Sequence, residues 1–147
     1  MILFKLNKKL EYALIAIKHI DGKANGELSS VKEISAAYKA PFDATAKVMQ
    51  QLVHGDILDV VHGAKGGYKL KRSLSETSFL QVAEALLGPV ALVDCVYETE
   101  KDCQLFESCN VVSPMTRLNQ KVKEFYANMT LEDLIGTELC EPQALVV

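Results

Sequence analysis

The amino-acid sequence predicts a mainly α protein with a small β wing, a winged helix-turn-helix unit followed by a long C-terminal dimerisation helix. Three observations predict it. Two helix-forming stretches meet at a short turn, Lys39-Ala40. A strand, a glycine-rich turn and a return strand follow at once, between Ile57 and Lys71. Near the end, Met115, Leu118, Val122, Phe125 and Met129 recur at heptad spacing, the narrow seam of a helix that pairs with another helix.

Each element has its own local reason. Asn7 is placed to cap a helix from Lys8, in which Leu10, Leu14, Ile17 and Ile20 recur at helical spacing, and the polar run from Asp21 to Gly26 stops it. Ser30 and Glu33 form a capping box that starts a short helix over Val31–Tyr38. Pro41 suits the first position of a third helix, where its missing N–H has no intrahelical partner. Phe42, Thr45, Val48, Met49 and Leu52 are its expected buried stripe, and Gly55 ends it. Ile57–His62 reads as a strand, Gly63–Gly67 as a turn and Tyr68–Lys71 as the return strand. Ser78 or Thr77 caps a helix through Leu87 that Gly88-Pro89 terminates. Ser113-Pro114 reads as the cap and first turn of the seam helix, and Thr130–Leu134 as one more helical turn. The tail from Glu138 shows no pattern. The expected division is residues 1–73, the winged helix-turn-helix domain, and residues 74–147, a cysteine loop with the dimerisation helix.

The net charge of −3 conceals an asymmetry. Residues 1–72 carry twelve Lys/Arg against seven Asp/Glu, while residues 73–147 carry four against twelve. A basic front half is the half that would meet a polyanion. No apolar run approaches the ~18 residues that span a bilayer, and the start has no small-residue cleavage site behind its short apolar patch, so no membrane partner and a cytoplasmic location are expected. His19, His54 and His62 fall in no nucleophile or zinc-hydrolase spacing, and neither a P-loop nor a dinucleotide fingerprint is present, so an enzyme is not expected.

Three of the four cysteines lie between Cys95 and Cys109, spaced C-x7-C-x5-C in a polar stretch without helix or strand pattern. Such a loop has too few apolar residues to order itself, and in a reducing compartment clustered thiols point to metal or redox chemistry rather than structural disulfides.

The ordered set of Tyr12-Ala13-Leu14 on the first helix, Gly66-Gly67-Tyr68 at the wing, the cysteine loop, and Phe125–Leu134 at the end of the seam resembles the bacterial winged-helix regulators typified by IscR, NsrR and RirA, over nearly the whole length. The resemblance implies a homodimeric transcription factor that binds a double-stranded DNA operator with an affinity set by an iron–sulfur cluster. Cys95, Cys103 and Cys109 take the ligand positions. Where the 2Fe-2S branch has a ligating His, three residues after the last Cys, this chain has Val112, so a 4Fe-4S cluster is implied over 2Fe-2S. In the NsrR branch an Asp from the partner chain completes the site, and Glu11 falls at the matching place; Cys140 is the competing fourth ligand. The chain departs from the family at Leu10-Glu11, where a Gly-Arg pair is usual, and at Ala64-Lys65, where Pro-Gly is usual. A zinc site or a thiol/disulfide switch on the same cysteines is the alternative.

On the third helix Asp43, Ala44, Lys47, Gln50 and Gln51 are left outside the apolar stripe. Lys47 suits a guanine edge or a phosphate, and Gln50 suits an adenine. Lys39 at the turn and Lys65 beside Gly66 on the wing are expected phosphate contacts, with Lys5, Lys8 and Lys9 adding to them. His62 is expected to be a solvated residue at the strand end. A winged helix that binds protein rather than DNA is the rival within the same fold.

Overall fold

The computed structural model describes residues 5–24, 26–93 and 103–136. Cys95, Cys140 and the tail from Glu138 lie outside the described residues. The elements run α1 (Lys8–Asp21), α2 (Val31–Tyr38), α3 (Phe42–His54), β1 (Leu58–Val61), β2 (Gly67–Leu70), a 3-10 turn (Leu74–Glu76), α4 (Phe79–Leu87), a second 3-10 turn (Phe106–Ser108), α5 (Val112–Asn128) and a closing π turn (Glu132–Gly136). This is the expected mainly helical fold with a two-stranded wing.

Local chemistry sets most boundaries. The Asn7 side chain accepts from the Lys9 N–H at 2.9 Å and so starts α1. The Ser30 hydroxyl accepts from the Glu33 N–H at 3.1 Å and starts α2. Lys39 stops α2 by turning left-handed, φ 54°, which swings the chain into α3. Pro41 is the N-cap of α3 rather than its first residue. Ser78 and Gln81 form a complete capping box on α4.

Strand ends shift by a residue from the sequence reading, and the start of the seam helix and the place of Phe42 also differ from it. The seam helix begins at Val112, one residue before Ser113, and has no side-chain cap. Pro114 still fits, because the first N–H groups of a helix have no intrahelical partner. Phe42 is not part of the buried stripe of α3, being 55% exposed, while Thr45, Val48, Met49 and Leu52 are buried as expected. Phe42 is the first residue of α3 and lies outside the core cluster that holds Val48, Met49 and Leu52.

A single core joins these elements. Leu10, Ala13, Ala16, Ile17 and Ile20 of α1 meet Val48, Met49 and Leu52 of α3, Ile34 of α2, Leu58 of β1, and Phe79, Val82, Ala83 and Leu86 of α4. Each fully buried aliphatic side chain stabilises the fold by about 1.5–3 kcal/mol. Leu131, after α5, is also fully buried in this core. The chain is anchored there by backbone bonds from Phe79 N–H to Met129 O and from Leu131 N–H to Thr77 O, both 2.8 Å.

β1 and β2 pair antiparallel, Leu58 with Leu70 through Val61 with Gly67. Ser29, just before α2, adds a one-residue bridge to Tyr68, with N···O distances of 3.0 and 2.8 Å. Two glycines are required by close approach. A Cβ on Gly66 would lie 2.2 Å from the Val61 carbonyl oxygen, and one on Gly55 would lie 2.5 Å from the Ala85 Cβ. The first closes the wing; the second lets the end of α3 touch α4.

Glu33 ties α2 to α1. Its carboxylate accepts from His19 Nε2–H at 2.9 Å and pairs with Lys23, and the Tyr38 hydroxyl lies 3.1 Å from His19 Nδ1. The Lys23 ammonium first and His19 second hold the Glu33 carboxyl down at about 2, from an ordinary 4.5. A depressed carboxyl pKa contributes stability that is present above the ordinary value and lost as pH falls through the folded one. Because the Glu33 side chain is 35% exposed, solvent screening limits the contribution to about 1 kcal/mol. Replacing Glu33 with Gln is expected to lower the unfolding free energy at pH 7 by up to about that amount and to flatten its decline between pH 5 and pH 2. Urea denaturation across that pH range measures both.

Candidate nucleic-acid interface and cysteine site

α2, the Lys39 turn and α3 place a helix-turn-helix beside the β1–β2 wing. α3 buries one stripe, Thr45, Val48, Met49 and Leu52, and leaves its opposite face to solvent. Asp43, Lys47 and Gln50 are exposed on it, Ala44 is half-buried, and Lys39 is exposed at the turn. On the wing Lys65 is exposed and Gly66 half-buried; His62 is exposed, as expected.

Two hollows flank α3. Toward the wing, Gln50, Val53, His54, Val60, His62 and Tyr68 line a largely apolar cleft of about 310 Å³. Toward α1, Lys8, Lys9, Tyr12, Ala44, Lys47 and Val48 line a groove of about 300 Å³. The groove brings Lys8 and Lys9 to the same edge as Lys47, with the Lys8 ammonium paired to Glu11. The sequence shows these lysines but not their convergence, since it follows from the packing of α1 on α3.

The Gln51 Nε2–H donates to the Leu86 carbonyl at 3.4 Å, and its Oε1 is buried without a donor among the described residues. Residue 51 lies at the margin between the buried stripe and the exposed face of α3, about 40° around the helix from Lys47. This contact engages the Gln51 amide, expected on the DNA-facing side, with α4.

Cys103 and Cys109 are free, half-exposed thiols on either side of the Phe106–Ser108 turn. The turn is closed by Phe106 N–H to Cys103 O at 3.0 Å and Cys109 N–H to Phe106 O at 3.4 Å. The turn leads directly into α5. Among the described residues no three His, Cys, Asp or Glu side chains converge on one point. Glu11 lies on the first turn of α1, half-exposed and paired with Lys8. As a donor set, two accessible thiols with a third cysteine eight residues upstream suit an iron–sulfur cluster, which binds through thiolates.

α5 rests on α4 through one face. Tyr126 meets the Phe79 ring edge-on at 5.0 Å, Lys123 pairs with Glu84 at 3.3 Å, and the buried Asn119 accepts from the Leu92 N–H at 2.9 Å. Of the seam, Leu118 is 45% and Phe125 is 59% exposed, while Met115 and Val122 are half-buried and Met129 packs against the core. The described chain therefore carries an apolar row at Leu118 and Phe125 that its own residues do not cover.

A family model described as the Rrf2 iron-dependent transcriptional regulator matches residues 6–137. The chain belongs to the Rrf2 family. It is a transcriptional regulator and not an enzyme. Protein aau3 of Rhizobium meliloti is 29% identical over 132 residues, covering 89% of this chain and 84% of that protein. The HTH-type transcriptional regulator NsrR of Oceanobacillus iheyensis is 26% identical over 133 residues, 90% of each chain. Among solved structures, CymR, the global cysteine regulator of B. subtilis, aligns over 92% of this chain and 100% of its own with a TM-score of 0.69 at 23% identity. That likeness carries the Rrf2 winged-helix fold. No helix among the described residues is long and apolar enough to cross a membrane.

Two substitutions separate positioning from reading. Lys65→Ala is expected to weaken binding to all duplexes about equally and to lower the slope of log K against log salt by about one. Lys47→Ala is expected to flatten sequence preference, with about 1–3 kcal/mol less discrimination at the contacted base. Fluorescence-anisotropy titrations on a panel of duplexes at several salt concentrations measure both; unchanged preference in Lys47→Ala removes that residue from base reading.

Proposed function

We propose that this Rrf2 regulator is a homodimer whose affinity for a DNA operator follows the state of an iron–sulfur cluster, 4Fe-4S in preference to 2Fe-2S, on Cys95, Cys103 and Cys109. The observation that supports it is the pair of free, half-exposed thiols at the foot of α5, in a chain that matches an iron-dependent regulator family. Residues 1–73 are the DNA-binding part; residues 74–147 are the sensing and pairing part, in a cytoplasmic protein. Lys39, Lys65 and Gly66 meet the backbone, while Asp43, Lys47 and Gln50 face the bases. Met115, Leu118, Val122, Phe125 and Met129 form the dimer seam, with Leu118 and Phe125 contributing most of the surface still open to a partner.

Cys95, Cys103 and Cys109 would hold the group, with Glu11 of a second copy supplying an oxygen donor. A cluster held by only three thiolates would supply a centre sensitive to oxygen, nitric oxide or iron scarcity. The polypeptide carries the signal. α4 leads into the cysteine loop at one end and touches α3 through Gln51–Leu86 and Gly55–Ala85. A shift of α4 is thereby passed to α3 as a change in its presentation.

The same thiols support a second reading, reversible disulfide formation or zinc binding without a cluster, because both described sulfurs are accessible and free. Anaerobic purification with an absorbance spectrum and iron, sulfide and zinc counts distinguishes them. About four irons per chain with matching sulfide supports 4Fe-4S, and Cys103→Ala is expected to abolish the visible absorbance. A colourless protein after reconstitution overturns the cluster, and non-reducing electrophoresis then tests the disulfide. Leu118→Lys with Phe125→Lys is expected to give monomer in sedimentation; an intact dimer overturns the seam. Gln51→Ala is expected to bring the DNA affinities of the two thiol states together while leaving the weaker one unchanged.

A further inference from the structure

We infer that Phe42 is a base-reading residue that recognises the C5-methyl group of a thymine in the major groove. This rests on the DNA-binding reading above.

Three observations carry it. Phe42 is the first residue of α3 and is 55% exposed, more than Leu6, Tyr38 or Val61, the other large exposed apolar residues among the described residues of the front half. Tyr38, the nearest of these in the chain, is engaged: its ring stands edge-on to His19 at 5.5 Å and its hydroxyl meets Nδ1. Phe42 has no such role in the core, although its spacing to Thr45, Val48 and Met49 is that of a core residue.

Its place on the helix then sets its occupant. In a helix-turn-helix the N-terminal residues of the second helix approach base edges most closely. Phe42, Ala46 and Gln50 lie four residues apart along one edge of α3. Ala46 is small, so it leaves the two ends of this row to protrude. A phenyl ring has no donor or acceptor, and the one apolar feature that the major groove offers is the thymine methyl group. Gln50 matches the adenine N6/N7 pair. Eight residues of helix span about 12 Å, which is between three and four base steps at about 3.4 Å each. The row therefore reads a thymine and an adenine spaced by that interval in each half-site.

The test begins with duplexes selected from a random pool by the wild-type protein. Each thymine of the selected sequence is then replaced in turn by deoxyuridine, which removes only the methyl group. At one thymine per half-site, three or four steps from a conserved adenine, uridine is expected to weaken wild-type binding about fivefold, the worth of one buried methyl. In Phe42→Ala that penalty is expected to vanish, and in Phe42→Leu to persist in part. Circular dichroism checks that the variants fold, as an exposed site predicts. A uridine penalty equal in wild type and Phe42→Ala, or no uridine-sensitive position at all, overturns the assignment while DNA binding stands. A pool that yields no selected sequence overturns the DNA-reading function itself.

Discussion

Ala13, Ala16 and Ile17 lie wholly out of contact with water on one face of α1, and the small pair lets neighbouring helices come close. Around that strip α3, α4 and β2 take their places. The consequence is that the helix offered to DNA is seated from behind by α1 and from the side by α4. Its outward face is left for Asp43, Lys47 and Gln50 because Thr45, Val48, Met49 and Leu52 are fully used inward. The same strip fixes where the first turn of α1 lies, and so where Lys8 and Lys9 meet Lys47. The cationic edge is a product of core packing as much as of composition.

Much of this was legible in the residues. α2 was readable to its ends, Val31 and Tyr38, because a serine cap opens it and a left-handed Lys39 closes it within eight residues. The wing was readable because only glycine fits at position 66. Phe42 was misplaced because helical periodicity records which residues share a face, not how far along the axis the neighbouring helices extend. The bond from Gln51 to Leu86 was not readable for a related reason: a polar side chain at the margin of an apolar stripe faces water or a neighbouring carbonyl depending on what packs there, and Leu86 is thirty-five residues away. The Ser29 bridge to Tyr68 is a single pair of backbone bonds and leaves no pattern to read. The start of α5 was off by two residues because Ser113-Pro114 has the chemistry of a cap, yet proline is also tolerated as the third residue of a helix, whose N–H has no intrahelical partner.

The two halves of the chain differ in how their polar groups are used. In the front half, Glu33, His19, Lys23, Asp56 and Lys71 are spent on fixing loops and helix ends to one another. Asp56, in a left-handed conformation just after α3, has its carboxyl lowered by the Lys71 ammonium, which joins the end of α3 to the end of the wing. Among the described residues of the back half, α5 carries one buried residue, Asn119, and keeps an apolar row in the open.

The seating of α5 is also uneven along its length. At its C-terminal end the chain is pinned, with Thr130 bridged to Ser78 and Leu131 sunk in the core. At its N-terminal end stand Val111, 47% exposed, and Cys109. α5 is thus fixed most firmly at Ser78–Thr130, held along its length by α4, and covered least at the thiol end. Seventeen residues of helix are about 26 Å long, so a tilt of about 10° about Ser78–Thr130 would correspond to about 4 Å at the thiol end. In that geometry a displacement of a few ångströms at a sulfur equals only a small rotation at the core.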